Sequence, residues 1–193
     1  MKSLEEKIVR EGKVYPGDVL KVDRFLNHRV DVAFLNEIGK EFARLFRDCG
    51  VNKILTIEAS GIGIACIAAQ HFDSVLPVVF AKKAASKNLS QEIYSSKVES
   101  YTKGKCYDIM VSKEHLEEGD RVLIVDDFLA KGSALISLLD VCKQAKAEVV
   151  GAGIVIEKAY QCGGDIVRSM GIRVESLARI ASMSPEEGIR FIH

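Results

Sequence analysis

The chain has no apolar run long enough to cross a bilayer as a helix, which takes about 20 residues. Its opening stretch, MKSLEEKIVREG, carries charges throughout and has no apolar centre of the kind a secretory leader uses. Neither sign of charge is in excess. Lys plus Arg and Asp plus Glu number 27 each, so no dominant field is available for nucleic acid or a membrane surface. No two cysteines form a CxxC pair. The five, Cys49, Cys66, Cys106, Cys142 and Cys162, are scattered and odd in number, which argues against a disulfide framework and for reduced thiols in the cytoplasm. His28, His71, His115 and His193 show no ligand spacing, so no metal site built by the protein alone is expected. No internal repeat and no linker divides the 193 residues, and a hydrophobic content of 48% suffices for one sizeable core.

What is present reads as alternating helices and strands. Leu4 and Ile8 share one side of a short helix ended by Gly12. Residues 19–22 suggest a short strand. Asp31 can cap a helix whose Phe34, Leu35, Ile38, Phe42, Leu45 and Phe46 form one apolar stripe, closed by Gly50. Strands are expected at 54–57, 77–80, 122–125 and 149–156, with helices over 64–71 and 133–146 between them. The stretch 172–177 adds a short tail. Residues 82–105 are polar, rich in Lys and Ser, and lack a lasting period, which suggests a long functional loop. This alternation predicts an α/β fold, a mostly parallel central sheet with helices on both faces. Such sheets bind ligands beyond the carboxyl ends of their strands. Ser60, Lys82, Asp126 and Lys158 all stand just past expected strand ends, which points to one shared site.

The most informative stretch is VLIVDDFLAKGSALISLLDVCK, residues 122–143. Four apolar residues run into Asp126 and Asp127. Side chains alternate along a strand, so two adjacent acids can face one ligand only where the strand is turning. Ala130, Gly132 and Ser133 follow, and their N–H groups can form an anion nest at the positive end of the next helix. A sugar phosphate satisfies both parts: its hydroxyls donate to the acids and its phosphate sits on the N–H groups. A bare pair of acids would read as a solvated turn, with Ser133 an ordinary helix cap. The apolar strand before the pair and the small-residue loop after it favour a ligand site.

Two other phosphate motifs fail on detail. The order Lys131-Gly132-Ser133 lacks the upstream glycine that a nucleotide-binding P-loop needs. The GIGIAC run at Gly61 follows a strand and opens a helix, but it lacks the third glycine of a dinucleotide fingerprint.

VLIVDDFLAKGSA resembles the phosphoribosyl-diphosphate signature of type I phosphoribosyltransferases. The usual loop has threonines at its first and last positions. Here Lys131-Gly132-Ser133-Ala134 has neither, so backbone N–H contacts remain but those hydroxyls do not. VLKVDRFLNHRVD, IEASGI, PVVFAKK and IVIEKAYQ extend the likeness almost end to end, to the bacterial xanthine branch of the family. The resemblance implies a small hood from about residues 1–30 and 158–193, and a mobile loop at about 82–105 that closes over the site and excludes water.

The resemblance also implies a reaction. Purine N9 displaces pyrophosphate from C1 of 5-phosphoribosyl 1-diphosphate through a cationic sugar, which calls for positioning and charge stabilisation more than acid–base work. Asp126 and Asp127 take the catalytic sugar site, and Ala130, Lys131, Gly132, Ser133 and Ala134 bind the donor. Ser60, Gly61 and Lys82 meet the pyrophosphate, with Lys83 as a solvated neighbour of Lys82. Leu20, Asn27 and Lys158 read the purine. Mg²⁺ is expected as cofactor, held mainly by the diphosphate, sugar hydroxyls and water rather than by protein ligands. Lys158 as a donor fits a 6-oxopurine, whereas the Asn27 amide can turn to donate to a 2-oxo group or accept from a 2-amino group. Xanthine and the diphosphate donor are the expected partners, with a homodimer by family analogy and neither nucleic acid nor membrane. Two other readings stay open. One is an adenine or guanine phosphoribosyltransferase. The other is a regulator on the same fold that senses the donor without turning it over; it would need a DNA-binding part or basic face, for which the chain has little room.

Overall fold

The computed structural model of the protein describes residues 1–83, 92–100 and 105–193. The chain opens with α1 (Lys2–Glu11), whose Leu4 and Ile8 are fully buried, as their spacing predicts. A small antiparallel hairpin follows, β1 (Lys13–Tyr15) and β2 (Val19–Lys21). Next comes a single wide helical turn, Asp23–Asn27, pinned by the buried side chains of Phe25 and Leu26. Asp31 caps α2 (Val32–Phe46) by accepting from Phe34 N at 3.1 Å, and its other oxygen takes Lys7 Nζ at 2.8 Å, which ties α2 to α1. One further 3₁₀ turn, Arg47–Cys49, precedes the left-handed Gly50, so α2 ends somewhat before the expected stop.

The alternating part comprises β3 (Lys53–Ile57), α3 (Ser60–Ala69) and β4 (Val78–Ala81). A second antiparallel hairpin follows, β5 (Ile93–Ser100) and β6 (Lys105–Ser112). Then come β7 (Arg121–Leu129), α4 (Ser133–Ala145), β8 (Glu148–Lys158), α5 (Gly163–Ser169), β9 (Val174–Ser184) and β10 (Gly188–Ile192). The main sheet has the order β10-β9-β8-β7-β3-β4 and is parallel except for β10 on β9. From β3 the chain winds outward to β4; from β7 it winds the other way to β8 and β9. The two directions part between β3 and β7, and a crevice at their carboxyl ends is the expected ligand position in such a sheet.

Helices α1, α2 and α3 cover one face, with Phe42, Phe46, Ile38 and Ile64 at 0–1% exposure. Each such side chain contributes roughly 1.5–3 kcal/mol relative to leaving it in water. On the other face α4, α5 and the β5–β6 hairpin pack Leu138, Val141, Val167, Val98, Ile109 and Val111 against the sheet. Both ends of the chain meet: α1 packs on β9 and β10, β1 packs on β9, and the Met1 amine donates to Leu177 O.

Three expectations change. The stretch 82–105 is no unbroken loop, because residues 93–100 pair with 105–112; within it, residues 84–91 and 101–104 lie outside the described part. The strand ending at 125 in the sequence reading runs on to Leu129, because β8 is long enough to keep pairing as far as Leu129 with Glu157. The tail at 172–177 is the start of the hairpin β9–β10, preceded by α5.

Candidate active site

Because β7 continues through the acids, Asp126 and Asp127 sit within the strand rather than in a turn beyond it, and they differ. Asp126 is 6% exposed, whereas Asp127 is half-buried. Each accepts from the next backbone N–H: Asp127 N to Asp126 Oδ1 at 2.9 Å, and Phe128 N to Asp127 Oδ1 at 3.0 Å. Burial, and then the Asp127 charge beside it, push the Asp126 carboxyl well above the ordinary range. Asp127 Oδ2 faces the end of the wide turn and takes the Asn27 amide at 3.2 Å. A carboxylate only accepts, so this contact fixes which end of the Asn27 amide faces Asp127.

After Leu129 the chain makes the 130–134 loop. Gly132 holds φ at +85° and caps α4 without any side-chain oxygen. The first N–H groups of a helix have no intrahelical acceptor, so the start of α4 presents donors to an anion. All five loop residues line a cavity of about 520 Å³, together with Phe128, Tyr107, Val98, Gln161, Lys158 and the tip of the first hairpin, Gly17 to Val19. Lys158, the last residue of β8, donates from Nζ to Asp18 O and stands 6.0 Å over the Phe128 ring. Burial lowers the Lys158 ammonium below its ordinary value, against the pull of Asp18. Burial, with Asp18 nearby, pushes the Tyr160 hydroxyl up to about 12.

The turn after β3 lies alongside. Its Glu58–Ala59 peptide is cis, and α3 starts at Ser60. Gly61 is closely packed: a Cβ there would stand 2.0 Å from Thr56 Oγ1 and 3.5 Å from Asp126 Oδ1. Thr56 Oγ1 is buried and has no hydrogen-bond partner among the described residues. The structure thus gathers Ser60 and Gly61, both acids, the 130–134 loop, Asn27 and Lys158 around the carboxyl ends of β3, β7 and β8.

Two of the expected residues lie differently. The Leu20 side chain is 7% exposed and belongs to the core, so it is its neighbours Asp18 and Val19 that line the cavity. Lys82 is held by backbone bonds to Met110, 2.9 Å each way, and lines a separate cavity with Lys53 and His115. Lys83 Nζ is 5.5 Å from the ring of Tyr107, which lines the first cavity. Side-chain alternation past a strand end decides between two adjacent lysines, and the sequence does not show where the alternation is counted from. Phe128 and Tyr107 are further additions. Phe128 directly follows the acids, and an aromatic at that point of the motif is the signal that could have found it.

Among the described residues no three His, Cys, Asp or Glu side chains gather to hold a metal ion. The donor set is two neighbouring carboxylates, which fits a cation carried in by an oxygen-rich ligand.

Comparison with known proteins gives the same region a context. The phosphoribosyl transferase domain family matches residues 32–163. A xanthine phosphoribosyltransferase of Lachnoclostridium phytofermentans is 56% identical over 97% of this chain and 96% of its own length. Xanthine phosphoribosyltransferase 1 of Clostridium perfringens is 57% identical over 93% and 94%. Among solved structures, the adenine phosphoribosyltransferase of Rhodothermus marinus matches in fold with a TM-score of 0.73, at 20% identity, over 93% of this chain and 99% of that one. The enzyme of Giardia lamblia complexed with 9-deazaadenine has a TM-score of 0.68 at 25% identity, over 77% and 81%.

Proposed function

The chain belongs to the phosphoribosyl transferase family, and from that premise we infer that it is a purine-salvage transferase. It moves the phosphoribosyl group of 5-phosphoribosyl 1-diphosphate to N9 of xanthine, giving xanthosine 5'-monophosphate and pyrophosphate. One observation supports the assignment to this site: the 130–134 loop, with its N–H donors, and Lys158 line the same cavity, so one ligand carrying a phosphate and a base could meet both. The choice of xanthine follows the named relatives, which cover nearly the whole chain.

The residues divide the work. Backbone N–H groups of the loop and of the start of α4 take the donor's 5'-phosphate. Asp127, the accessible acid, accepts from the ribose hydroxyls, and buried Asp126 backs it through the Asp127 N–H. As C1 loosens from its leaving group, this carboxylate pair lies near the developing positive charge. The diphosphate faces the N-terminus of α3 at Ser60 and Gly61, and the cation of Lys83 is better placed than Lys82 to meet it. Asp126 and Asp127 are the carboxylates that could help hold a Mg²⁺ brought with the diphosphate, and a bound Mg²⁺ would supply charge stabilisation for the leaving group. At the base, Lys158 exchanges Asp18 O for the purine 6-oxo group. Asn27 addresses the 2-position, and the Phe128 ring offers an apolar face. The backbone around Leu20 forms the rim of this base site.

On the same premise the terminal segments act as a hood, the protein is a homodimer, and it works in the cytoplasm with its thiols reduced. None of the five cysteines is in a disulfide, and no described helix is long and apolar enough to cross a membrane. The deciding assay supplies Mg²⁺ and the diphosphate donor with xanthine, guanine, hypoxanthine or adenine in turn and measures nucleotide formed. Xanthine should be preferred. Turnover of adenine alone, or donor binding with no turnover of any base, would overturn the assignment.

A further inference from the structure

The first turn of α5 is wedged between the 130–134 loop and a buried ion pair. On the loop side, Gly163 N donates to Ala130 O at 3.1 Å. A Cβ on Gly163 would stand 2.3 Å from that oxygen and 2.4 Å from Gly132 N, so bare backbone lies against bare backbone. On the other side, a Cβ on Gly164 would stand 2.2 Å from Glu157 Oε1. Glu157 is 1% exposed, although it directly precedes Lys158. It takes two parallel bonds from the Arg168 guanidinium, at 2.8 and 2.7 Å, and a third from Arg179 at 3.3 Å. Arg168 lies one helical turn beyond Gly164, so the fork fastens α5 to the end of β8. Neither Glu157 nor Arg168 is among the residues that line the cavity.

We propose that Glu157 and Arg168 are a positioning pair for the donor-phosphate loop, acting through α5 and Gly163. A bidentate pair fixes direction as well as distance, which apolar packing alone does not. Two glycines in succession transmit that placement because each neighbour is in contact with backbone. The proposal rests on reading 130–134 as the loop that holds the donor's phosphate.

The test compares Michaelis constants for the two substrates in four variants. Arg168→Met alone would leave Glu157 buried with only Arg179 donating to it, so the main variant is the double Glu157→Gln with Arg168→Met, which removes the buried carboxylate together with the fork and leaves Arg179, about one third exposed, to water. It and Gly163→Ala should raise KM for the diphosphate donor by about 10- to 100-fold, as displacement of a bound group does, with KM for xanthine little changed. Arg168→Lys keeps the charge without the fork and should fall between wild type and the double variant. Gly132→Ala tests the loop reading directly. If it leaves donor KM unchanged, that reading fails. If it raises donor KM while the double variant, folded by circular dichroism, does not, the loop reading stands and the positioning role is refuted. Should the double variant fail to fold, Arg168→Lys and Gly163→Ala decide by the same criterion.

Discussion

Replacing Asp126 by Asn should weaken the enzyme and stabilise the protein. The side chain is 6% exposed, and burial with Asp127 beside it raises its pKa well above the ordinary range. Asn keeps the volume and still accepts from Asp127 N, so only the charge is lost. The sign follows from proton counting. Below the ordinary aspartate value of about 3.9 both folded and unfolded chains hold the proton. From there up to the raised folded value the unfolded chain has lost it and the folded chain has not. Wild-type stability therefore falls with rising pH across this window, by up to about 1.4 kcal/mol per pH unit, and levels off above it. For a chain of this size that is roughly 3–6 °C in Tm per pH unit. The Asn variant escapes this loss, so its advantage over wild type should grow across the window. Urea unfolding at several pH values between 4 and 8 reads it directly. Asp127→Asn, at a more exposed position, should change stability by less than about 0.5 kcal/mol. It should lower kcat/KM by about 10- to 150-fold, the equivalent of roughly 1.5–3 kcal/mol for a hydrogen bond to a charged acceptor. An Asp126→Asn variant no more stable than wild type at pH 7 would refute the account of the buried acid. Unchanged donor kinetics in both variants would refute the sugar site.

Lys83→Ala should raise KM for the diphosphate donor, and product inhibition by pyrophosphate should weaken with it; Lys82→Ala should do neither, and the reverse pattern would restore Lys82. Lys158→Ala should lower kcat/KM for xanthine, hypoxanthine and guanine together, whereas Asn27→Ala should hurt xanthine more than hypoxanthine by about 2- to 13-fold, the worth of one neutral hydrogen bond. An equal loss for every base in Asn27→Ala would mean that Asn27 only holds the wide turn to Asp127. Light scattering at micromolar concentration should return the mass of a dimer, and a monomer mass would contradict the proposed assembly.

Where one physical signal governed a segment, the sequence was readable. The α2 stripe and its Asp31 cap are both in place, because periodic burial and a single side-chain bond decide them. The motif at 122–134 leads to the first cavity for the same reason: apolar strand, acids and small-residue loop each have a local cause. The hairpin β5–β6 was hidden because it buries little, with Val98, Ile109 and Val111 set among polar residues whose alternation is easily lost. α5 was hidden because its first two residues are glycines, poor helix formers that are there to fit between Glu157 and the loop. The unequal burial of the two acids depends on how far β8 extends alongside them, which is a pairing between distant segments. Lys82 and Lys83 differ by one residue of register, which the bond pair between Lys82 and Met110 sets from another strand.

The meeting of α1 and β1 with β9 and β10 has an evolutionary consequence. In the proposed function the base meets the hairpin tip and the wide turn, both from the N-terminal segment, and Lys158, the last residue of β8. The 130–134 loop proposed for the sugar phosphate lies well inside the span 32–163 that the family matches, and Lys158 lies near its end. Drift from one purine to another would then require coordinated change in the first 30 or so residues and around Lys158 while the 130–134 loop stays fixed. A chimera that takes only its first 30 or so residues from an adenine-specific homologue should misassemble at the α1–β9 contact, and one that takes both ends together should inherit a new base preference on an old donor site.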